Sequence, residues 1–241
     1  MSDIIQGIDI SSNQADVDFE TVAASGYSFV ICKATEGADY TDPKFAENMQ
    51  KLAALNQDGM RLIPGAYHFG RPDNRTGWDG GQTEGLWFAQ QLEALAGDIS
   101  ANFLPPALDY EKYNTAGASS NVQWIEGFID AVQTKTGRTP MIYTGPTVWG
   151  YQLDNSREFI DYPLWQVDYA RDGGEPDSSP SAMPKGGTGP QWPWKLWQWS
   201  GGGDFAYAPP VPGIPGSGIV DVNRFDGDLD ELYELGCVSP R

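Results

Sequence analysis

Histidine is almost absent from this chain: His68 is the only one among 241 residues. Hydrolytic zinc sites draw on two or three imidazoles, so a single histidine excludes them, and a Ser/His/Asp triad would have to rest on His68 alone. No G-x-S-x-G elbow and no G-x-x-x-x-G-K-[ST] loop occurs. Gly201-Gly202-Gly203 follows a strand-like run without opening a helix, which leaves a phosphate cradle unsupported. An all-carboxylate magnesium or calcium site stays open at this point. His68 itself reads as a structural hydrogen-bonding residue.

Positive charge is also scarce. Fifteen Lys and Arg stand against 33 Asp and Glu, a formal net charge of -18. Such a surface repels a phosphate backbone, so nucleic acid is not an expected partner. The two cysteines, Cys32 and Cys237, are too few for a disulfide framework, and Cys32 lies in an apolar run typical of a buried thiol. No stretch reaches the roughly 18 apolar residues of a membrane span, and the opening Met-Ser-Asp-Ile-Ile has no basic segment followed by an apolar one. The expectation is a protein without membrane insertion and without an export signal of its own.

Aromatic residues are plentiful, nine tryptophans included. Composition leaves two readings open for them: packing beneath long loops, or flat platforms for sugar rings in a groove.

Strand-like runs at 6–11, 28–35, 61–69, 105–111 and 139–145 alternate with helical stretches, the pattern of βα units around a parallel sheet. One helix follows Asp42 as N-cap and Pro43 as first residue, and places Phe45, Met49 and Leu52 on one face. Another opens at Ser119 or Ser120, carries Ile125, Phe128, Ile129 and Val132, and stops at Gly137. A third spans about 82–96 and closes at Gly97. Beyond residue 162 the strands at 163–169, 195–200 and 219–226 are joined by Gly/Pro/Ser-rich loops without helical period, and a last helix over 228–235 begins with Asp228 and Glu231 in capping-box spacing. The predicted fold is α/β: a single TIM-like barrel of the (β/α)5(β)3 type, one domain over 1–241 with no appended module. The loops at about 170–194 and 201–218, with Trp192, Trp194, Phe205 and Tyr207, read as the rim of a groove rather than as linkers.

Side chains alternate across a strand, and the helix-facing side of a barrel strand is apolar. Ile8 and Ile10 therefore turn Asp9 inward, Leu108 and Tyr110 turn Asp109 and Glu111 inward about 7 Å apart along the strand, and Val220 and Val222 do the same for Asp221. First and last strands of a barrel are neighbours, so four acids converge near strand C-termini, where barrel enzymes keep their active sites. Crowded carboxylates cannot all ionise, and a protonated carboxyl beside ionised ones is equipment for cleaving a glycosidic bond. Glu111, longest and last on its strand, is the predicted proton donor. Tyr143, Trp165 and Trp197 join the candidates for substrate binding.

These residues resemble the lysozymes of glycoside hydrolase family 25. The resemblance runs nearly end to end, through Gly7-Ile8-Asp9-Ile10-Ser11, Lys33-Ala34-Thr35-Glu36-Gly37, Tyr67-His68-Phe69, Leu108-Asp109-Tyr110-Glu111, Leu196-Trp197-Gln198-Trp199 and Val220-Asp221-Val222-Asn223. It implies cleavage of the β-1,4 bond between N-acetylmuramic acid and N-acetylglucosamine with retention of configuration. Its D-x-E motif falls on Asp109 and Glu111, with Glu111 as acid/base; Asp9 and Asp221 match two further active-site carboxylates, and Tyr67 and Gln198 match groove positions. It implies a monomer working on bacterial peptidoglycan without cofactor or metal. Such an enzyme would reach the wall by phage holin-type release or another secretion route. The nucleophile is either a carboxylate or the substrate's own 2-acetamido group oriented by Asp109, and the same-strand spacing favours the second. The strong acidity departs from many relatives and should make anionic wall polymers repel the chain at low salt. A chitinase-like hydrolase and a non-catalytic glycan-binding protein are the competing expectations; the Asp9/Asp221 pair beside D-x-E speaks against the first, an intact Glu111 against the second.

Overall fold

The computed structural model describes residues 4–169, 179–186 and 188–238; the predicted rim positions 170–178 and 187 lie outside the described residues. Apolar/polar alternation closes the strands into a barrel. Its members are β1 (Gln6–Ile10), β2 (Phe29–Glu36), β4 (Ile63–Phe69), β5 (Ala107–Asp109), β6 (Met141–Thr144), β7 (Leu164–Val167), β8 (Trp194–Ser200) and β9 (Asp221–Phe225), while β3 (Tyr40–Thr41) forms a short hairpin with β2. The order β1-β9-β8-β7-β6-β5-β4-β2 is sealed by the pairing of β1 with β2. Helices α1 (Phe19–Ala24), α2 (Phe45–Leu55), α3 (Gly77–Gln91), α4 (Ala118–Thr136) and α5 (Pro146–Leu153) follow β1, the β2–β3 hairpin, β4, β5 and β6; α6 (Leu229–Leu235) follows β9. Five βα units and three helix-poor strands are thus in place, as the hydrophobic periods predict.

One strand departs from the sequence reading. The barrel pairs from β1–β2 and β2–β4 on to β7–β8 are parallel, but β9 runs antiparallel to both β8 and β1. Asp221 is therefore the first residue of its strand, not near its C-terminus, and the reversal carries it to the same rim, opposite Asp9. A strand reached by a loop rather than a crossover helix has no constraint to be parallel.

Alternation sorts the core into two layers. Inside the barrel, Phe29, Ile31, Ile63, Leu196 and Phe225 fill the lower half. Between barrel and helices, Ile8, Val30, Phe88, Trp124, Phe128 and Trp149 form the outer belt. Gly7 belongs to the floor: a Cβ there would overlap the Phe29 ring, so only glycine lets that ring plug the barrel. The tryptophans largely settle as packing, since Trp124, Trp149, Trp192, Trp197 and Trp199 are buried on this outer side.

Helix ends differ from expectation where tertiary contacts override local signals. Helix α3 starts at Gly77, five residues before the predicted start, and a wider turn over Leu92–Ala96 ends at Gly97 in a left-handed conformation, φ 77°. Its first turns hold Gly80 and Gly81, poor helix formers. Gly81 is required because α4 approaches closely, since a Cβ there would overlap the Trp124 carbonyl oxygen; at Gly80 a Cβ would overlap the Arg75 carbonyl oxygen just before the helix. Helix α2 begins at Phe45 after Lys44, and Asp42 caps one turn earlier, accepting from the Lys44 amide at 2.9 Å. Helix α4 follows Gly117 and stops at left-handed Gly137, and α6 carries the capping box of Asp228 and Glu231. Both cysteines are free, Cys32 buried and Cys237 exposed. Among the described residues no helix is long and apolar enough to cross a membrane.

Candidate active site

The strands' inward positions change character towards the rim where β1 to β8 end. Above the apolar plug they carry Asp9, Lys33, Tyr67, Asp109, Tyr143, Trp165, Gln198 and Asp221, which with Glu111 and Tyr169 surround a pocket of about 230 Å³. All four predicted acids line this one pocket, as do Tyr67, Tyr143, Trp165 and Gln198. Trp197 does not. It follows from the parity of its strand: Gln198 faces inward, so Trp197 turns to the outer belt, its indole N–H donating to the Asp168 carbonyl at 2.7 Å. It is removed from the substrate-binding candidates.

Asp9 sits at the centre of a fixed network. Its Oδ2 accepts from Gln198 Nε2 at 2.9 Å and Asn223 Nδ2 at 2.8 Å. Both amides are held in orientation from behind. The Gln198 carbonyl oxygen accepts from the hydroxyls of Tyr143 (2.9 Å) and Tyr169 (3.2 Å), and the Asn223 carbonyl oxygen accepts from the Trp165 indole at 2.7 Å. Indole and phenol donors leave each amide its NH2 for Asp9 alone.

Burial in this pocket raises the proton affinity of all four acids. Asp9 is pushed up to about 6, burial outweighing its amide donors. Asp221 is pushed up to about 8 by burial and by the charges of Asp9 and Glu111, and hydrogen-bonds to Asp9. The shared proton therefore resides on Asp221, which donates to Asp9. Asp109 is raised well above the usual range by burial and by Glu111 and Asp9, and its Oδ1 is buried without a hydrogen-bond partner. Glu111, two residues beyond β5, is raised by burial and then by Asp9. Lys33 opposes both shifts. Its ammonium lies 2.7 Å from Glu36 and 4.9 Å from the Phe69 ring centroid, which anchors this cation at the pocket wall.

These shifts link the site to stability. Unfolded carboxyls release their protons near pH 4, whereas the folded pair holds protons to about 6 and about 8. The folded state thus binds more protons across that window, and stability falls as pH rises through it. Asp221→Asn, whose amide can donate to Asp9 without the shared proton, is expected to raise Tm at pH 7.5 by roughly 2–4 °C, about 1 kcal/mol. Thermal unfolding at pH 7.5 and pH 4 checks this; the gain should vanish at the lower pH, and a lower Tm at pH 7.5 contradicts it.

His68 stays outside the pocket. It is buried on the outer face of β4, bonding Thr35 Oγ1 through Nδ1 at 2.8 Å and Glu84 Oε2 through Nε2 at 2.9 Å. Burial holds its proton affinity below the ordinary imidazole value. The same Glu84 oxygen accepts from the Arg71 amide at 2.9 Å, so His68 joins β4, α3 and the loop after β4 as a structural residue.

Sequence reasoning did not single out Asn223, Lys33 or Tyr169. The signal for the first two was present: Asn223 shares the parity of Asp221, and Lys33 that of Phe29 and Ile31. Tyr169 also shares the parity of Trp165 within the predicted strand 163–169, although β7 itself ends at Val167.

The arrangement can donate a proton, hold negative charge on buried carboxylates and offer a buried acceptor to a ligand N–H. Comparison with known proteins agrees with that chemistry. A family model described as glycosyl hydrolases family 25 matches residues 8–207. An N,O-diacetylmuramidase from Chalaropsis sp is 35% identical, the match covering 96% of this chain and 98% of that protein. A lysozyme from Streptomyces globisporus is 30% identical over 96% of this chain and 71% of its own length. Among solved structures, a bacterial lysozyme from Streptomyces coelicolor matches with a TM-score of 0.75 at 27% identity over 99% of this chain and 100% of that one. A family GH25 lysozyme from Aspergillus fumigatus matches with a TM-score of 0.71 at 29% identity, covering 97% of this chain and 99% of that one.

Proposed function

Because the chain belongs to glycosyl hydrolase family 25, we propose that it is a lysozyme cleaving the β-1,4 bond between N-acetylmuramic acid and N-acetylglucosamine in bacterial peptidoglycan. The observation that carries this reading is the pairing of Glu111 with a buried Asp109 whose Oδ1 lacks a partner, in a pocket shared with Asp9 and Asp221.

In this reading the unpaired Asp109 oxygen accepts the N–H of the muramic acid 2-acetamido group. That hydrogen bond favours the ionised form of Asp109, whose negative charge in turn favours the protonated form of Glu111. Glu111 protonates the glycosidic oxygen as the bond to the anomeric carbon breaks. The acetamido carbonyl oxygen attacks that carbon from the opposite face, giving a cyclic oxazolinium whose positive charge Asp109 stabilises. Glu111, now ionised, takes a proton from a water that opens the ring at the anomeric carbon. Two inversions leave the configuration retained. Asp9, fixed by Gln198 and Asn223, supplies the negative charge that keeps the Glu111 proton affinity high.

Mass spectrometry of digested, purified peptidoglycan tests the assignment. New fragments should end in reducing muramic acid. Reducing-end glucosamine would replace the bond assigned here, and intact glycan would remove the reading altogether.

A further inference from the structure

The wall of the pocket continues outward through a second aromatic ring. Tyr169 lines the pocket and donates to Gln198 at 3.2 Å. Phe205, in the loop after β8, lies on Tyr169 with ring centroids 4.7 Å apart and planes 20° from parallel. It is 49% exposed.

The loop that presents it is tied down. Ser200 is buried, and its Oγ accepts from the amides of Tyr207 (2.9 Å) and Ala208 (2.8 Å), while the Phe205 carbonyl accepts from the Gly201 amide at 2.8 Å. Val211 and Ile214 of the same loop are buried and Tyr207 packs on the core, so the loop had apolar partners available and still directs Phe205 to solvent. An exposed phenylalanine is unremarkable alone. One stacked on a pocket-lining tyrosine, on a backbone pinned at both sides, extends the surface that meets the ligand.

Phenylalanine offers neither donor nor acceptor, so its ring can recognise only an apolar face. The C–H face of a pyranose ring is such a surface. Neighbouring Asp204 and the net charge of -18 disfavour an anionic peptide stem at the same place. We infer that Phe205 is a platform for one further hexosamine ring of the glycan strand, beyond the two sugars joined at the cut, and that it makes the enzyme select long strands over short fragments. The inference rests on the glycan-cleaving reading above.

The test uses the inactive Glu111→Gln protein with Phe205 kept, changed to Ala, or changed to Trp. Dissociation constants are measured by calorimetry for linear peptidoglycan glycan strands and for the N-acetylmuramyl-β-1,4-N-acetylglucosamine disaccharide, whose two rings are those joined at the cut. Phe205→Ala should weaken strand binding about tenfold, the size of one well-packed aromatic contact. Disaccharide binding should stay unchanged, and Phe205→Trp should restore the strand affinity. Equal weakening of both ligands would mean that Phe205 acts by propping Tyr169, and no weakening would mean no platform; either overturns the inference while the lysozyme reading stands. Failure of both ligands to bind when Phe205 is intact would instead overturn the glycan reading and the inference with it.

Discussion

Glu111→Gln is expected to lower kcat on purified cell walls by about 10³–10⁴-fold while leaving glycan binding in place. General acid catalysis contributes up to about 10⁴-fold, and glutamine fills the same volume without an acidic proton. The pocket gives Glu111 its task through burial and the charge of Asp9, which hold its proton where an exposed glutamate would have lost it. Replacing a buried carboxyl whose ionisation burial and Asp9 oppose should not destabilise the fold, so melting temperature should be equal or higher. Steady-state kinetics with a thermal melt on the same samples checks both halves. Activity within tenfold of the parent would remove Glu111 from the acid role, and activity lost with a collapsed melt would assign it to the fold.

Asp109→Asn should cost about 10²–10³-fold in kcat with a smaller change in KM. This is the penalty for losing a preorganised charge aimed at a developing cation. Asparagine is nearly isosteric, but its neutral amide cannot stabilise an oxazolinium as a carboxylate does. A second consequence separates this from simple damage. The charge of Glu111 raises the proton affinity of Asp109, and repulsion between two carboxylates acts on both, so neutralising Asp109 should move the alkaline limb of kcat/KM to lower pH. An unshifted limb with the same loss of kcat would mean that the two acids are not coupled. Retention of full kcat would return the nucleophile question to a carboxylate other than Asp109.

Much of this site was legible because one rule, alternation across a strand, needs no tertiary information. Ile8 and Ile10 assign Asp9, Leu108 assigns Asp109, and Val220 and Val222 assign Asp221. The same rule places Trp197 outside once Gln198 is inside, whatever its aromatic character suggests. Strand direction is a different matter. Nothing in Val220-Asp221-Val222-Asn223 tells parallel from antiparallel, because the pattern reads alike both ways; the order of neighbours β8 and β1 decides it. The early start of α3 was hidden for an opposite reason. Gly77, Gly80 and Gly81 argue against a helix locally, and only the fold shows why they are there: Gly77 takes a positive φ, and a Cβ on Gly80 or Gly81 would meet the Arg75 or the Trp124 carbonyl oxygen. Side chains in loops, Phe205 among them, escape any periodic rule because loop geometry is set by contacts such as those of Ser200.

Crowding in one pocket keeps a proton on carboxyls that would be ionised in water. Carbon-13 NMR of carboxyl-labelled protein, titrated from about pH 3 to 9 with assignments from the Asn and Gln variants, reads it directly. The account predicts a Glu111 midpoint above that of an exposed glutamate and a shared Asp9/Asp221 titration with steps near about 6 and about 8. Four independent midpoints at or below the ordinary range near about 4 would contradict it.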